Sequence, residues 1–145
     1  MFFKDEPQYS VKETLSIVNQ ALKEKNYVPV PQLVGYLMTK DPTYITVHMD
    51  ARALIKRHDP DEYLEEMLRA YLESEKEREP DDALKFAHDS YISRNKSYEQ
   101  VINDIVGYLC SGDPTYIASQ DGARHAVYQC GREEIILRLL NDYLQ

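Results

Sequence analysis

Val34-Gly35-Tyr36-Leu37, followed shortly by Asp41-Pro42-Thr43-Tyr44-Ile45, comes back 72 positions later as Val106-Gly107-Tyr108-Leu109 and Asp113-Pro114-Thr115-Tyr116-Ile117. Ala51-Arg52, Glu62, Leu68 and Tyr71-Leu72 return in the same register as Ala123-Arg124, Glu134, Leu140 and Tyr143-Leu144. One register held without a gap from Val34 to Leu72 marks a tandem duplication, and such self-similarity reveals the building unit of a fold. The units are placed at residues 1–76 and 77–145.

At 145 residues, with 29% charged side chains, the chain has an ordinary globular composition and can bury roughly 70% of its unfolded surface in one core. A unit of about 70 residues is marginal alone, so the duplication favours one joint core. No apolar run approaches the roughly 18 residues that span a bilayer. The start Met1-Phe2-Phe3-Lys4-Asp5-Glu6 turns acidic at once and lacks a basic region, an apolar stretch and a cleavage site. Cys110 and Cys130 are the only cysteines, too few for a disulfide framework, so the expected compartment is the cytoplasm. The net charge of −8 divides evenly between residues 1–80 and 81–145, which argues against binding a phosphate backbone.

Helical signals fill both units. Ser10-Val11-Lys12-Glu13 is a capping box, and Val11, Leu15, Val18 and Leu22 form an apolar stripe behind it, up to the turn at Asn26. Pro31 suits the first position of a second helix carrying Leu33 to Leu37. Asp41-Pro42 predicts a single helical turn to Ile45. Asp50 is expected to cap a third helix to about Arg57, and Asp59-Pro60 to start a longer fourth with Tyr63, Leu64, Met67, Leu68, Tyr71 and Leu72 on one side. In the second unit Asp82 caps a helix with Leu84, Phe86, Ala87 and Tyr91, matching Leu15, Ile17, Val18 and Leu22, and Ser97-Tyr98-Glu99-Gln100 opens the next. The charged stretch Glu73 to Asp82 reads either as an acidic partner-binding strip or as the solvated end of the fourth helix stopped by Pro80, and the second reading is preferred. Gly35 and Gly107 sit inside helices, where glycine costs about 1 kcal/mol relative to alanine; its recurrence predicts a close backbone approach.

No constellation looks catalytic. His48, His58, His88 and His125 share no spacing and are not duplicated, so no metal site is expected. Cys110 stands opposite Met38 and reads as a packing thiol. The Lys40-Asp41-Pro42 and Ser111-Gly112-Asp113-Pro114 segments lack a Gly-rich run ending in Gly-Lys-Ser/Thr, which argues against a nucleotide, and no cofactor is expected. Three tyrosine pairs stand in register, Tyr36/Tyr108, Tyr44/Tyr116 and Tyr71/Tyr143, and duplication assigns them to the scaffold. Arg52 and Arg124 either anchor an acidic partner or pair with Asp41 and Asp113, the second being preferred. In the first unit Lys56 and Arg57 extend Arg52 into a basic face, where the second has Tyr128 and Gln129.

The same residues carry a family resemblance. Gln32-Leu33-Val34-Gly35-Tyr36, the Asp-Pro-Thr-Tyr-Ile segment, Ala-Arg and the last helix ending in Tyr-Leu resemble the IreB family of bacterial regulatory phosphoproteins; the second unit, from Ile105 to Ile117 with Ala123-Arg124 and Arg132-Glu133-Glu134-Ile135, is especially close. The resemblance implies a small helical, non-enzymatic regulator with a helix-turn-helix-like substructure that forms homodimers. It also implies a substrate of membrane-anchored Ser/Thr kinases that influences peptidoglycan synthesis, in part through proteolysis of a pathway enzyme. The family's phosphoacceptor Thr lies in its N-terminal segment, whereas here no Thr precedes Thr14. Thr46-Val47 and Ala118-Ser119 replace the family's Pro-Arg after the Asp-Pro motif, and only the first unit keeps a basic third helix.

The expectation is an all-α protein of two tandem helical repeats packed as an intramolecular pseudo-dimer, monomeric and bound to a protein partner such as a Ser/Thr kinase or a proteolysis adaptor. Arg52, Lys56, Arg57 and Arg124 are the candidate partner-binding residues. Gly35, Tyr36, Asp41, Pro42, Tyr44 and their counterparts Gly107, Tyr108, Asp113, Pro114, Tyr116 form the structural motif. The alternative is a DNA-binding regulator inserting the Arg52-Lys56-Arg57 helix into a groove.

Overall fold

Ser10 nucleates the first helix as its spacing predicts: its hydroxyl accepts the Glu13 N–H at 3.1 Å and the Glu13 carboxylate accepts the Ser10 N–H at 2.9 Å. The computed structural model describes residues 8–145, and the acidic start Met1 to Glu6 lies outside the described residues. Helix α1 (Val11–Glu24) buries Leu15, Val18 and Leu22 and ends before Asn26, whose φ of 66° turns the chain. Helix α2 (Pro29–Thr39) starts two residues before Pro31; both prolines fit its first turn, where backbone N–H groups have no helical acceptor.

Helix α3 (Ala51–Ile55) is shorter than expected, and Asp50 does not cap it. Met49 and Asp50 both adopt left-handed backbone, with φ of 57° and 58°, so Asp50 is not in the extended conformation of a capping residue. The second copy repeats the conformation at Asp121 and Gly122. Helix α4 (Pro60–Glu73) begins with the Glu62 carboxylate accepting the Asp59 N–H at 3.1 Å. The second copy supplies α5 (Ala83–Ser93), α6 (Tyr98–Ser111), α7 (Ala123–Cys130) and α8 (Arg132–Tyr143), and among the described residues no strand interrupts the helices. Leu84, Ala87 and Tyr91 are buried as their match to Leu15, Val18 and Leu22 requires, whereas Phe86 is exposed.

The segment between the copies departs from its preferred reading. Helix α4 stops at Glu73, well before Pro80, because no apolar stripe continues beyond Leu72. The segment is instead strapped to the second copy. The Arg78 guanidinium lies 3.6 Å from the Tyr71 ring centroid, donates to the Tyr71 carbonyl and pairs with Asp142 at 3.1 Å. Tyr71 hydrogen-bonds the buried Asp82, which caps α5 by accepting the Lys85 N–H at 2.9 Å. Tyr143 is held in a similar way: Lys12 lies 4.0 Å from its ring centroid and donates to its carbonyl at 2.5 Å. Each cation reaches across from the start of one copy to the end of the other.

Within a copy the first helix packs on the third, α1 on α3 and α5 on α7. Between copies the contacts are reciprocal: α4 lies against α6, α2 against α8, and α4 against α8. Side chains of both copies merge into one buried cluster, including Leu33, Leu37, Leu64 and Leu68 from the first and Ile105, Leu109, Ile136 and Leu140 from the second. Each such side chain contributes about 1.5–3 kcal/mol on burial. Neither copy closes its own core.

Candidate functional site

The duplicated turn is built the same way twice. Asp41 accepts the Thr43 N–H at 2.9 Å and its hydroxyl at 2.7 Å, and Asp113 binds Thr115 at the same two distances. Hydrogen bonds from Thr43 and Thr115 hold both carboxyls below the usual carboxylate range. The short helical turn that follows delivers Tyr44 onto Gly35 and Tyr116 onto Gly107. A Cβ on Gly35 would stand 2.4 Å from the Tyr44 ring, and one on Gly107 2.5 Å from Tyr116. The close approach expected of these glycines is therefore to an aromatic side chain of the same copy, not to a backbone. Tyr36 and Tyr108 are buried.

Arg52 and Arg124 form neither of the expected ion pairs with Asp41 and Asp113, in each of which Oδ1 accepts both threonine bonds. Each guanidinium Nε donates at 2.8 Å to the carbonyl ending its own turn, Ile45 and Ile117 respectively. This half-buried bond fixes the turn against the third helix. Lys56 and Arg57 are exposed beyond the C-terminal end of α3, separated from the role of Arg52. Next to them His58 contacts Glu62 at 3.1 Å and the Tyr9 carbonyl at 3.0 Å, while His48 contacts Glu24 at 2.8 Å. The His48 hydrogen bond is the main cause that lowers the Glu24 pKa. In the second copy Tyr128 stands opposite Lys56 and is 61% exposed. Helix α3 spans five residues, and its single arginine, Arg52, is committed to the backbone. That geometry lends no support to groove reading.

Burial raises the thiol pKa of both Cys110 and Cys130, as suits packing cysteines. Among the described residues no three His, Cys or carboxylate side chains converge as metal ligands, and no helix is long and apolar enough to cross a membrane.

Two surface features escaped sequence reasoning. The first copy exposes Val47 and Met49 in the loop before α3, where the second has Ser119 and Asp121. Asp121 is itself tied to Arg94 by two hydrogen bonds of 2.7 Å. A groove of about 500 Å³ also runs between α2 and α8. Its walls come from different copies, so periodicity within one copy could not reveal it; the usable signal was Leu137 standing in register with Glu65.

Comparison with known proteins bears on the whole chain. The family described as "IreB regulatory phosphoprotein" matches it twice, over residues 1–73 and again over residues 73–145. A UPF0297 protein of Ruminiclostridium cellulolyticum is 50% identical over 76 residues, covering 51% of this chain and 86% of the relative. A UPF0297 protein of Acetivibrio thermocellus is 56% identical over 62 residues, covering 43% of this chain and 69% of that protein.

Proposed function

This chain belongs to the IreB family of regulatory phosphoproteins, with the family's unit present twice, and from that membership we propose a non-enzymatic regulator of cell-wall synthesis. It works in the cytoplasm by binding a protein partner, downstream of a Ser/Thr kinase, with its two copies paired as an intramolecular pseudo-dimer. Reciprocal packing of α4 on α6 and α2 on α8 supports the pairing, since a two-fold interface uses the same patch on both partners. One observation carries the regulatory reading: the scaffold is kept in both copies while the exposed faces differ. Lys56 and Arg57 on one side face outward where Tyr128 and Gln129 stand on the other. A basic face on an acidic protein selects an acidic patch of the partner.

Thr14 is only 2% exposed within α1. A kinase acting on the folded chain therefore has to use a hydroxyl elsewhere.

The test is deletion of the gene in its native host, complemented by the wild-type chain or by K56E/R57E. Expected are altered peptidoglycan precursor pools and altered sensitivity to wall-active antibiotics, restored by wild type and not by the charge-reversed variant. Unchanged precursor pools and unchanged sensitivity in the deletion strain would refute the regulatory reading. Light scattering of the full chain is expected to give a monomer of 16.9 kDa; a dimer whose copies pair only between chains refutes the internal pairing.

A further inference from the structure

The groove between α2 and α8 differs from its counterpart between α6 and α4 in a way that assigns it an occupant. Val34 and Met38 of α2, Leu137 of α8 and the ring of Tyr44 form its apolar lining, and Glu133 and Glu134 form its acidic rim. Its volume of about 500 Å³ lies within the range of sites that enclose small ligands or a few side chains. Among the described residues Glu134 has only a loose contact with Arg138, at 3.9 Å, and Glu133 has no ion pair. The rim therefore presents negative charge beside apolar surface.

At the matching place on the other side, Glu65 replaces Leu137 and Cys110 replaces Met38. Glu65 accepts from Arg69 at 3.0 Å, and Arg69 continues to Glu99 with bonds of 2.9 and 2.7 Å. That ion network joins α4 to α6 and sets a charged side chain where Leu137 stands, while Val106, Tyr116, Asp61 and Glu62 keep the register of Val34, Tyr44, Glu133 and Glu134. The duplication has left the larger apolar surface on the α2–α8 side, through Leu137 against Glu65 and Met38 against Cys110.

We infer that the α2–α8 groove is a docking site for one amphipathic segment of a partner protein, carrying two or three bulky apolar side chains next to a Lys or Arg. The inference rests on the proposal that the chain acts through a protein partner. The apolar side chains fill the space over Val34, Met38 and Leu137, and the cation meets Glu133 and Glu134. Since the counterpart carries the charged Glu65 where Leu137 supplies apolar surface, each chain takes one such segment.

A random 12-residue peptide-display library is selected on the folded full chain, and enriched peptides are resynthesised with a fluorophore. The expected outcome is an apolar motif flanked by Lys or Arg, binding with 1:1 stoichiometry. Amide NMR shifts are expected at Gly35, Thr39, Glu133 and Glu134, without comparable shifts at Gly107, Ser111, Asp61 and Glu62. E133K/E134K is expected to weaken binding at least tenfold, and L137E, which copies Glu65 of the other side, to abolish it. The rim variant lies on exposed or half-exposed positions, so it keeps the test valid even if L137E unfolds.

Three results overturn the site: no enriched peptide, equal shifts on both sides, or light scattering showing the groove covered by a second chain. Peptides that shift only the Lys56–Arg57 face also overturn it while leaving the partner-binding reading standing. Failure of that broader reading is detected separately, in the deletion strain.

Discussion

Gly35→Ala is expected to destabilise the fold, although alanine is the better helix former. In an exposed helix interior the replacement gains about 1 kcal/mol. Here the new Cβ would stand 2.4 Å from Cε1 and 2.6 Å from Cδ1 of Tyr44, well inside contact distance, so the ring has to leave its place on α2. The turn beneath resists: Gln32 donates to the Tyr44 carbonyl at 2.8 Å, and Arg52 holds the next carbonyl. Overpacking of this kind costs about 1–3 kcal/mol, which exceeds the helix gain. The net loss is set at about 1 kcal/mol, or a fall in Tm of about 3 °C for a chain of this size. In a Tyr44→Ala background the obstruction is gone, and the same substitution should stabilise by about 1 kcal/mol. The assay is urea and thermal denaturation of the wild type, both single variants and the double variant, with a coupling of about 2 kcal/mol expected from the cycle. Gly107 and Tyr116 repeat the experiment, with a smaller effect because Tyr116 is 50% exposed against 37% for Tyr44. Additive single effects, or a Gly35→Ala protein more stable than the wild type, would refute the reasoning.

Arg124→Ala should lower the urea midpoint by the equivalent of about 1 kcal/mol, and Arg124→Lys should not restore it, because lysine has no counterpart of the Nε donor that binds the Ile117 carbonyl. Lys40 ends α2 in left-handed backbone with a φ of 64°, where the second copy uses Gly112; Lys40→Gly is expected to stabilise by about 0.5–1 kcal/mol in thermal melts. Asp41 and Asp113 have folded pKa values below 3.8, so their contribution is present above 3.8 and is lost as pH falls through the lower folded values. Asp41→Ala/Asp113→Ala should therefore be less stable at neutral pH yet lose less stability below pH 3.8, read from urea midpoints across the acid range. A chain cut to residues 73–145 bares the faces of α6 and α8 that lie against α4 and α2, and it is expected to self-associate in light scattering; a stable, folded monomer would contradict the shared core.

Most of the helical plan was legible because it depends on local chemistry. The capping box at Ser10, the Asp41 turn and the stripe on α4 each involve residues close in sequence. The expectations fail where unusual backbone or contacts that no local pattern encodes decide. Asp50 looked like a cap until the left-handed pair Met49-Asp50 set its backbone, and nothing in the local sequence announces two consecutive left-handed residues. The register of Arg52 suggests a pair with Asp41, whereas the backbone carbonyl of Ile45 accepts from its Nε. The Glu73 to Asp82 stretch read as a helical tail because its partners, Asp142 and Gln145, belong to the far end of the chain. At the candidate site the basic face of α3 was visible as a difference between copies, but the α2–α8 groove required knowing which helices meet across the duplication.

The strap from Ser74 to Asp82 has a consequence for dilution. Two separate chains holding the same faces together would come apart as their concentration fell, since a bimolecular equilibrium follows mass action. A short tether makes the encounter intramolecular, with an effective concentration on the order of millimolar. Arg78 and Lys12 then fasten each copy's last helix to the other copy. With the internal pairing proposed above, assembly of the seam between α2, α4, α6 and α8 is expected to be independent of protein concentration.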